Sequence, residues 1–86
     1  MYKNKAADGL NNICGARVKE LREQMDGHPS QRAFADMLQR AGLDVDKNAV
    51  QRIESRQRFV TDIELKVISE VLGVTCEELL TGFDFS

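Results

Sequence analysis

Asn12, Ser30, Asp46, Thr61 and Thr75 each stand directly ahead of a run whose apolar members recur at helical spacing. Short polar side chains of this kind accept a hydrogen bond from one of the first-turn amides that a helix leaves unpaired, so each marks a start. Gly42, Gly73 and Gly82 follow three of these runs, and "DGHPS" (26–30) interrupts the chain with Gly27 and Pro29. Glycine takes the left-handed conformation in which helices close, and proline cannot continue one. No period-2 stretch of β-branched residues stands out beside this pattern. The expected fold class is therefore all-α, a compact bundle of five short amphipathic helices.

The first helix, over about residues 13–25, carries Cys14, Val18, Leu21 and Met25 on one stripe, with Asn12 as N-cap. Ser30 opens a second that buries Phe34, Met37, Leu38 and Ala41 and ends at Gly42. A third starts after Asp46 and turns Val50 and Ile53 inward. "TDIE" (61–64) and "TCEE" (75–78) are capping boxes, in which Thr and Glu satisfy each other's amides. The first box opens a fourth helix with Ile63, Val67, Ile68, Val71 and Leu72 facing inward, and the second a short fifth with Leu79 and Leu80. Residues 1–12 are polar and are expected to form a flexible arm or a loosely docked extra turn. Residues 13–82 form the domain and 83–86 a short tail.

Composition narrows the function. The chain has 86 residues, one domain's worth, and a formal net charge of −2 that by itself argues against a nucleic-acid partner. The distribution reverses that reading. Eleven Lys and Arg stand against eight Asp and Glu in residues 1–60, whereas residues 61–86 hold Lys66 against six acidic groups. A mildly basic body beside an acidic end permits a nucleic-acid face of weak, salt-dependent non-specific affinity. No apolar run approaches the roughly 20 residues of a membrane span, and no signal-peptide core is present, so a cytoplasmic protein is expected. Cys14 and Cys76 lack metal-ligand spacing and His28 is the single histidine, so neither zinc nor any cofactor is expected. An enzyme is the weakest reading, since His28 sits alone beside Pro29 and no phosphate-binding loop appears.

Four segments in register, "GARVKELRE" (15–23), "SQRAFADML" (30–38), "AVQRIE" (49–54) and "TDIELKVISEVLGVTCEELL" (61–80), resemble the phage-repressor and Cro-like helix-turn-helix family of bacterial regulators, also called the xenobiotic-response-element family. The resemblance implies a lambda-repressor-like DNA-binding domain with its third helix in the major groove and its second crossing the backbone above. Two features depart from the family. "QRAGLD" (39–44) lengthens the link between the second and third helices, and Arg56 stands where a glycine is common. Either Arg56 is left-handed, at a cost of about 1 kcal/mol, or the third helix ends differently.

With Val50 and Ile53 inward, the opposite face of the third helix presents Lys47, Asn48, Gln51 and Arg52. Arg and Lys match guanine O6 and N7, and Asn and Gln match adenine N6 and N7. The resemblance aligns Lys47, Asn48 and Arg52 with base-reading positions. It also implies that Gln31 binds phosphate and braces the recognition helix, at a helix N-terminus already suited to anions. Arg32 beside it is either a second phosphate contact or a solvated side chain. Arg56, Arg58 and the amides near Thr61 form a further candidate phosphate cluster. Phe59 reads as a core or interface wedge. The resemblance pairs Arg22 with Glu54 in a partly buried salt bridge that holds the third helix in register.

These residues imply a transcriptional regulator, expected to repress as a homodimer on palindromic double-stranded DNA. The domain fills the chain, so no ligand-sensing module is expected. The alternatives are an antitoxin that also neutralises a toxin partner, and a protein–protein adaptor that has kept the fold. The expected dimer seam is the C-terminal end, with Leu79, Leu80, Phe83 and Phe85, unless both rings fold back onto the monomer's own core.

Overall fold

The computed structural model describes residues 10–80. Residues 1–9 and 81–86 lie outside it, and with them most of the expected arm, the Gly82 boundary, Phe83 and Phe85. The described residues form five α-helices and no strand: α1 (Gly15–Gln24), α2 (Gln31–Arg40), α3 (Lys47–Glu54), α4 (Asp62–Leu72) and α5 (Cys76–Leu80). The all-α fold follows from the caps. Ser30 Oγ accepts from the Ala33 amide at 3.1 Å and Asp46 Oδ1 from the Ala49 amide at 2.8 Å. Both capping boxes form: Thr61 and Glu64 bond reciprocally at 3.0 and 3.2 Å, and Thr75 and Glu78 at 3.1 and 3.2 Å.

Three helices close in the same way. Gly42, Arg56 and Gly73 have φ of 98°, 66° and 74°. The amide of the residue after each reaches back to a carbonyl in the helix's last turn: Leu43 to Leu38 at 2.9 Å, Gln57 to Arg52 at 2.8 Å and Val74 to Ser69 at 3.0 Å. This left-handed closure satisfies carbonyls that the helix leaves orphaned. At Arg56 it is made without glycine. The longer link between α2 and α3 is anchored at both ends: Leu43 packs against the core, Val45 is buried, and Gln39 Nε2 donates to the Val45 carbonyl at 2.7 Å.

α2 lies mainly on α3, with α1 beneath α3 and α4 closing the far side with α5. Val18, Phe34, Leu38, Val50, Ile53, Ile68 and Leu79 meet at the centre. Cys14 is among them, and burial pushes its thiol up to about 11, so it remains an inert SH at neutral pH.

Four expectations need correction. α1 begins at Gly15 rather than Ile13, with Cys14 at the cap position, because Asn12 Oδ1 accepts from the Gly15 amide at 2.9 Å from outside the helix. Ile63 is 72% exposed instead of inward. At 3.6 residues per turn it lies about 140° around α4 from Ile68, off the buried stripe. Ala41 is exposed at the end of α2, while Ala35 takes a buried place. Leu79 is fully buried within the monomer and Leu80 is 39% exposed, which removes Leu79 from any seam with a partner. No helix of the described residues is long and apolar enough to cross a membrane.

Candidate nucleic-acid interface

Burial of Val50 and Ile53 fixes which side of α3 meets solvent, and Lys47, Asn48, Gln51 and Arg52 are all exposed there. At 1.5 Å rise per residue these side chains span about 7.5 Å of helix axis, within the roughly 12 Å width of a B-DNA major groove. A cleft of about 300 Å³ runs between α2 and α3, lined by Arg32, Asp36, Gln39, Asp46, Lys47 and Asn48. Its acidic residues offset part of the attraction that Arg32 and Lys47 exert on phosphate.

The exposed face is held by a buried polar joint. Arg22 on α1 donates from Nε and from a terminal guanidinium nitrogen to the Glu54 carboxylate at 2.6 and 3.0 Å. A third N–H of Arg22 reaches the Pro29 carbonyl at 2.8 Å. Gln31 Nε2 donates to the same carboxylate at 3.0 Å, so α1, α2 and α3 converge on Glu54. The hydrogen bonds that Arg22 donates to Glu54 raise its pKa against the opposing effect of burial, which keeps the guanidinium charged. Charge-assisted, two-pronged pairs of this type fix orientation as well as adding energy.

The other expected phosphate cluster is arranged differently. Arg56 Nε donates to the Asn12 carbonyl at 2.6 Å. Arg58 forks onto Glu64 at 2.8 and 3.1 Å, and Thr61 is occupied in the α4 capping box. The fork raises the Arg58 pKa and holds Glu64 below the usual carboxylate range. Arg56, Arg58 and Thr61 thus each make a bond within the fold, and Arg58 has a carboxylate beside it, while Thr61 is exposed and Arg56 and Arg58 are half-buried. Arg32 is exposed at the second residue of α2, and Phe59 is 49% exposed.

Contacts that shape this site escaped the sequence reading. Asn11, assigned there to the arm, and Asn12, read there as the cap of the first helix, are bonded to the end of α3. Asn11 meets the Arg56 and Gln57 carbonyls, and Asn12 Nδ2 meets those of Ile53 at 3.2 Å and Arg58 at 2.7 Å. Gly15 lets α1 approach α3 so closely that an added Cβ would stand 2.1 Å from the Ile53 carbonyl oxygen. An Asn before a helix signals a cap, but no local signal shows its amide reaching residues more than 40 positions away.

Among the described residues no group of three or more His, Cys, Asp and Glu stands together as a metal site. No protein-family model matches the sequence, and no curated protein does. Among solved structures, the chain is similar to the P22 c2 repressor protein, crystallised in complex with synthetic operator 9T in the presence of Tl+. The TM-score is 0.67 at 21% identity, over 83% of this chain and 97% of that one. At that identity the likeness is one of fold: the helices of this chain are arranged as they are in that repressor.

Proposed function

We propose that the chain is a sequence-specific DNA-binding regulator of the phage-repressor and Cro-like helix-turn-helix family, acting on DNA in the cytoplasm. The observation that carries the reading is the pairing of an exposed Lys47, Asn48, Gln51 and Arg52 face with a buried Arg22–Glu54–Gln31 joint beneath it. The solved repressor of the same fold, whose structure includes an operator, adds support. α3 enters the major groove and supplies base contacts, while α2 crosses the backbone with Arg32 and its first-turn amides on phosphate. Regulation is by occlusion, as a repressor.

One α3 covers too few base pairs to single out an operator, so the active form is a homodimer reading half-sites about 34 Å apart. With Leu79 buried, the apolar side chains that remain open to a second copy include Leu80, Phe59 and Ile63. An antitoxin would use the same DNA face and differ only in holding a toxin besides.

Selection of random duplexes on the purified protein, followed by sequencing, tests the reading. Enrichment of an inverted repeat with half-sites one helical turn apart is expected. A protein that enriches no sequence and shifts no duplex at low salt is instead the adaptor.

A further inference from the structure

We infer that the Asn12 carboxamide is a positioning residue for DNA reading, one that sets the pitch of α3 from its C-terminal end. The inference rests on the DNA-binding reading and adds to it a residue outside the helix-turn-helix.

Asn12 is 9% exposed, and both ends of its side chain are used. Oδ1 accepts from the Gly15 amide at 2.9 Å, tying it to the start of α1. Nδ2 donates to the carbonyls of Ile53, in the last turn of α3, and Arg58, in the segment leaving it. Its backbone carbonyl accepts from Arg56 Nε at 2.6 Å. One residue therefore joins α1 to the carbonyls on either side of the left-handed turn at Arg56. Only a carboxamide of this length offers one acceptor and two donors in these directions: Asp has no donor and Ala has neither.

The joint is distinct from the Glu54 network. Arg22 and Gln31 hold α3 through a charged side chain, on the side facing α1 and α2. Asn12 holds its main chain, beside the close contact at Gly15. A rod clamped at Glu54 alone can still pivot. Base-edge hydrogen bonds at Lys47 to Arg52 tolerate displacements of only about 0.5 Å, whereas phosphate contacts from α2 are more forgiving and carry no sequence information. Loss of Asn12 should therefore erode discrimination before affinity.

The test compares Asn12→Ala and Asn12→Asp with Val71→Ala, a control on α4 that lowers stability away from α3. Binding is measured to the duplex the wild-type protein selects and to its scrambled counterpart, well below each melting temperature. For both Asn12 variants, preference for the selected duplex should fall about tenfold, the weight of one good base contact. Affinity for the scrambled duplex and its salt slope should stay within about twofold, and Val71→Ala should keep the wild-type preference. Hydrogen exchange of the Ser55, Arg56 and Gln57 amides in free protein supplies a readout that needs no DNA. Exchange there should be about tenfold faster in Asn12→Ala than in Val71→Ala. An unchanged preference in a folded Asn12 variant overturns the inference. If the wild-type protein prefers no duplex, the DNA reading fails instead, and equal exchange in the two variants then refutes the positioning role by itself.

Discussion

Gly15 and Ile53 are in backbone contact: a Cβ on Gly15 would lie 2.1 Å from the Ile53 carbonyl oxygen, with Arg56 Cγ at 2.8 Å. Two effects of opposite sign meet there. Ala is the better helix former by up to about 1 kcal/mol, yet overpacking costs typically about 1–3 kcal/mol when the neighbour cannot yield. The blocking atom belongs to the main chain of α3, so packing wins. Gly15→Ala should lower stability by about 1–3 kcal/mol in urea unfolding. An equal or more stable variant would show that α1 shifts freely.

Arg22 and Glu54 keep 9% and 2% of their side-chain surface exposed. Removing one partner strands a buried charge, at about 3–5 kcal/mol, against about 0–1 kcal/mol for an exposed pair. Arg22→Met should show the large cost, and Arg22→Met with Glu54→Leu should recover most of it. A double-mutant cycle on chemical denaturation reads the coupling, and independent effects would mean that Gln31 alone satisfies Glu54.

Arg56 is left-handed with φ of 66° while its Nε holds the Asn12 carbonyl. Arg56→Gly loses that bond, worth about 0.5–1.5 kcal/mol, but relieves strain of about 1–2 kcal/mol. Arg56→Ala loses the bond and keeps the strain. Thermal melts should therefore rank Gly above Ala by about 1 kcal/mol. The reverse order would show that left-handed strain at position 56 costs less than the chain entropy that glycine adds.

Glu64 is held below the usual carboxylate range, first by its hydrogen bonds from Arg58 and then by the Thr61 amide. A carboxylate lowered in the folded state contributes stability that is complete above its unfolded-state value and is lost as pH falls through the folded-state one. Wild-type protein should weaken as pH drops from about 5 towards 3. Glu64→Gln should be less stable at neutral pH and show a shallower acid limb. Parallel limbs in urea titrations would assign acid sensitivity to other groups.

At the proposed interface, Arg52→Ala should cost about 1–3 kcal/mol on the selected duplex and relax preference at one base pair per half-site. Arg32→Ala should weaken all duplexes alike and reduce the salt slope by about 1. Repeating the selection on each variant separates them. An unchanged consensus for folded Arg52→Ala removes it from base reading.

Local chemistry in the sequence determined the helices. Ser30, Asp46, Thr61 and Thr75 mark starts because a cap satisfies amides within three residues of itself, and Val50 with Ile53 assigns the exposed face of α3 by helical period alone. The pairing of Arg22 with Glu54 was legible only through resemblance to a family, since 32 positions separate them. Tertiary structure alone decided the rest. Asn12 reads as an ordinary cap until its amide is seen on Ile53 and Arg58, and Gly15 as a neutral first-turn residue until α3 is laid across it. Nothing local in the sequence shows that Arg56 reaches the Asn12 carbonyl or that Arg58 forks onto Glu64. A side chain's reach to its own turn is set by backbone geometry, but which distant carbonyl or carboxylate it meets depends on how the helices cross.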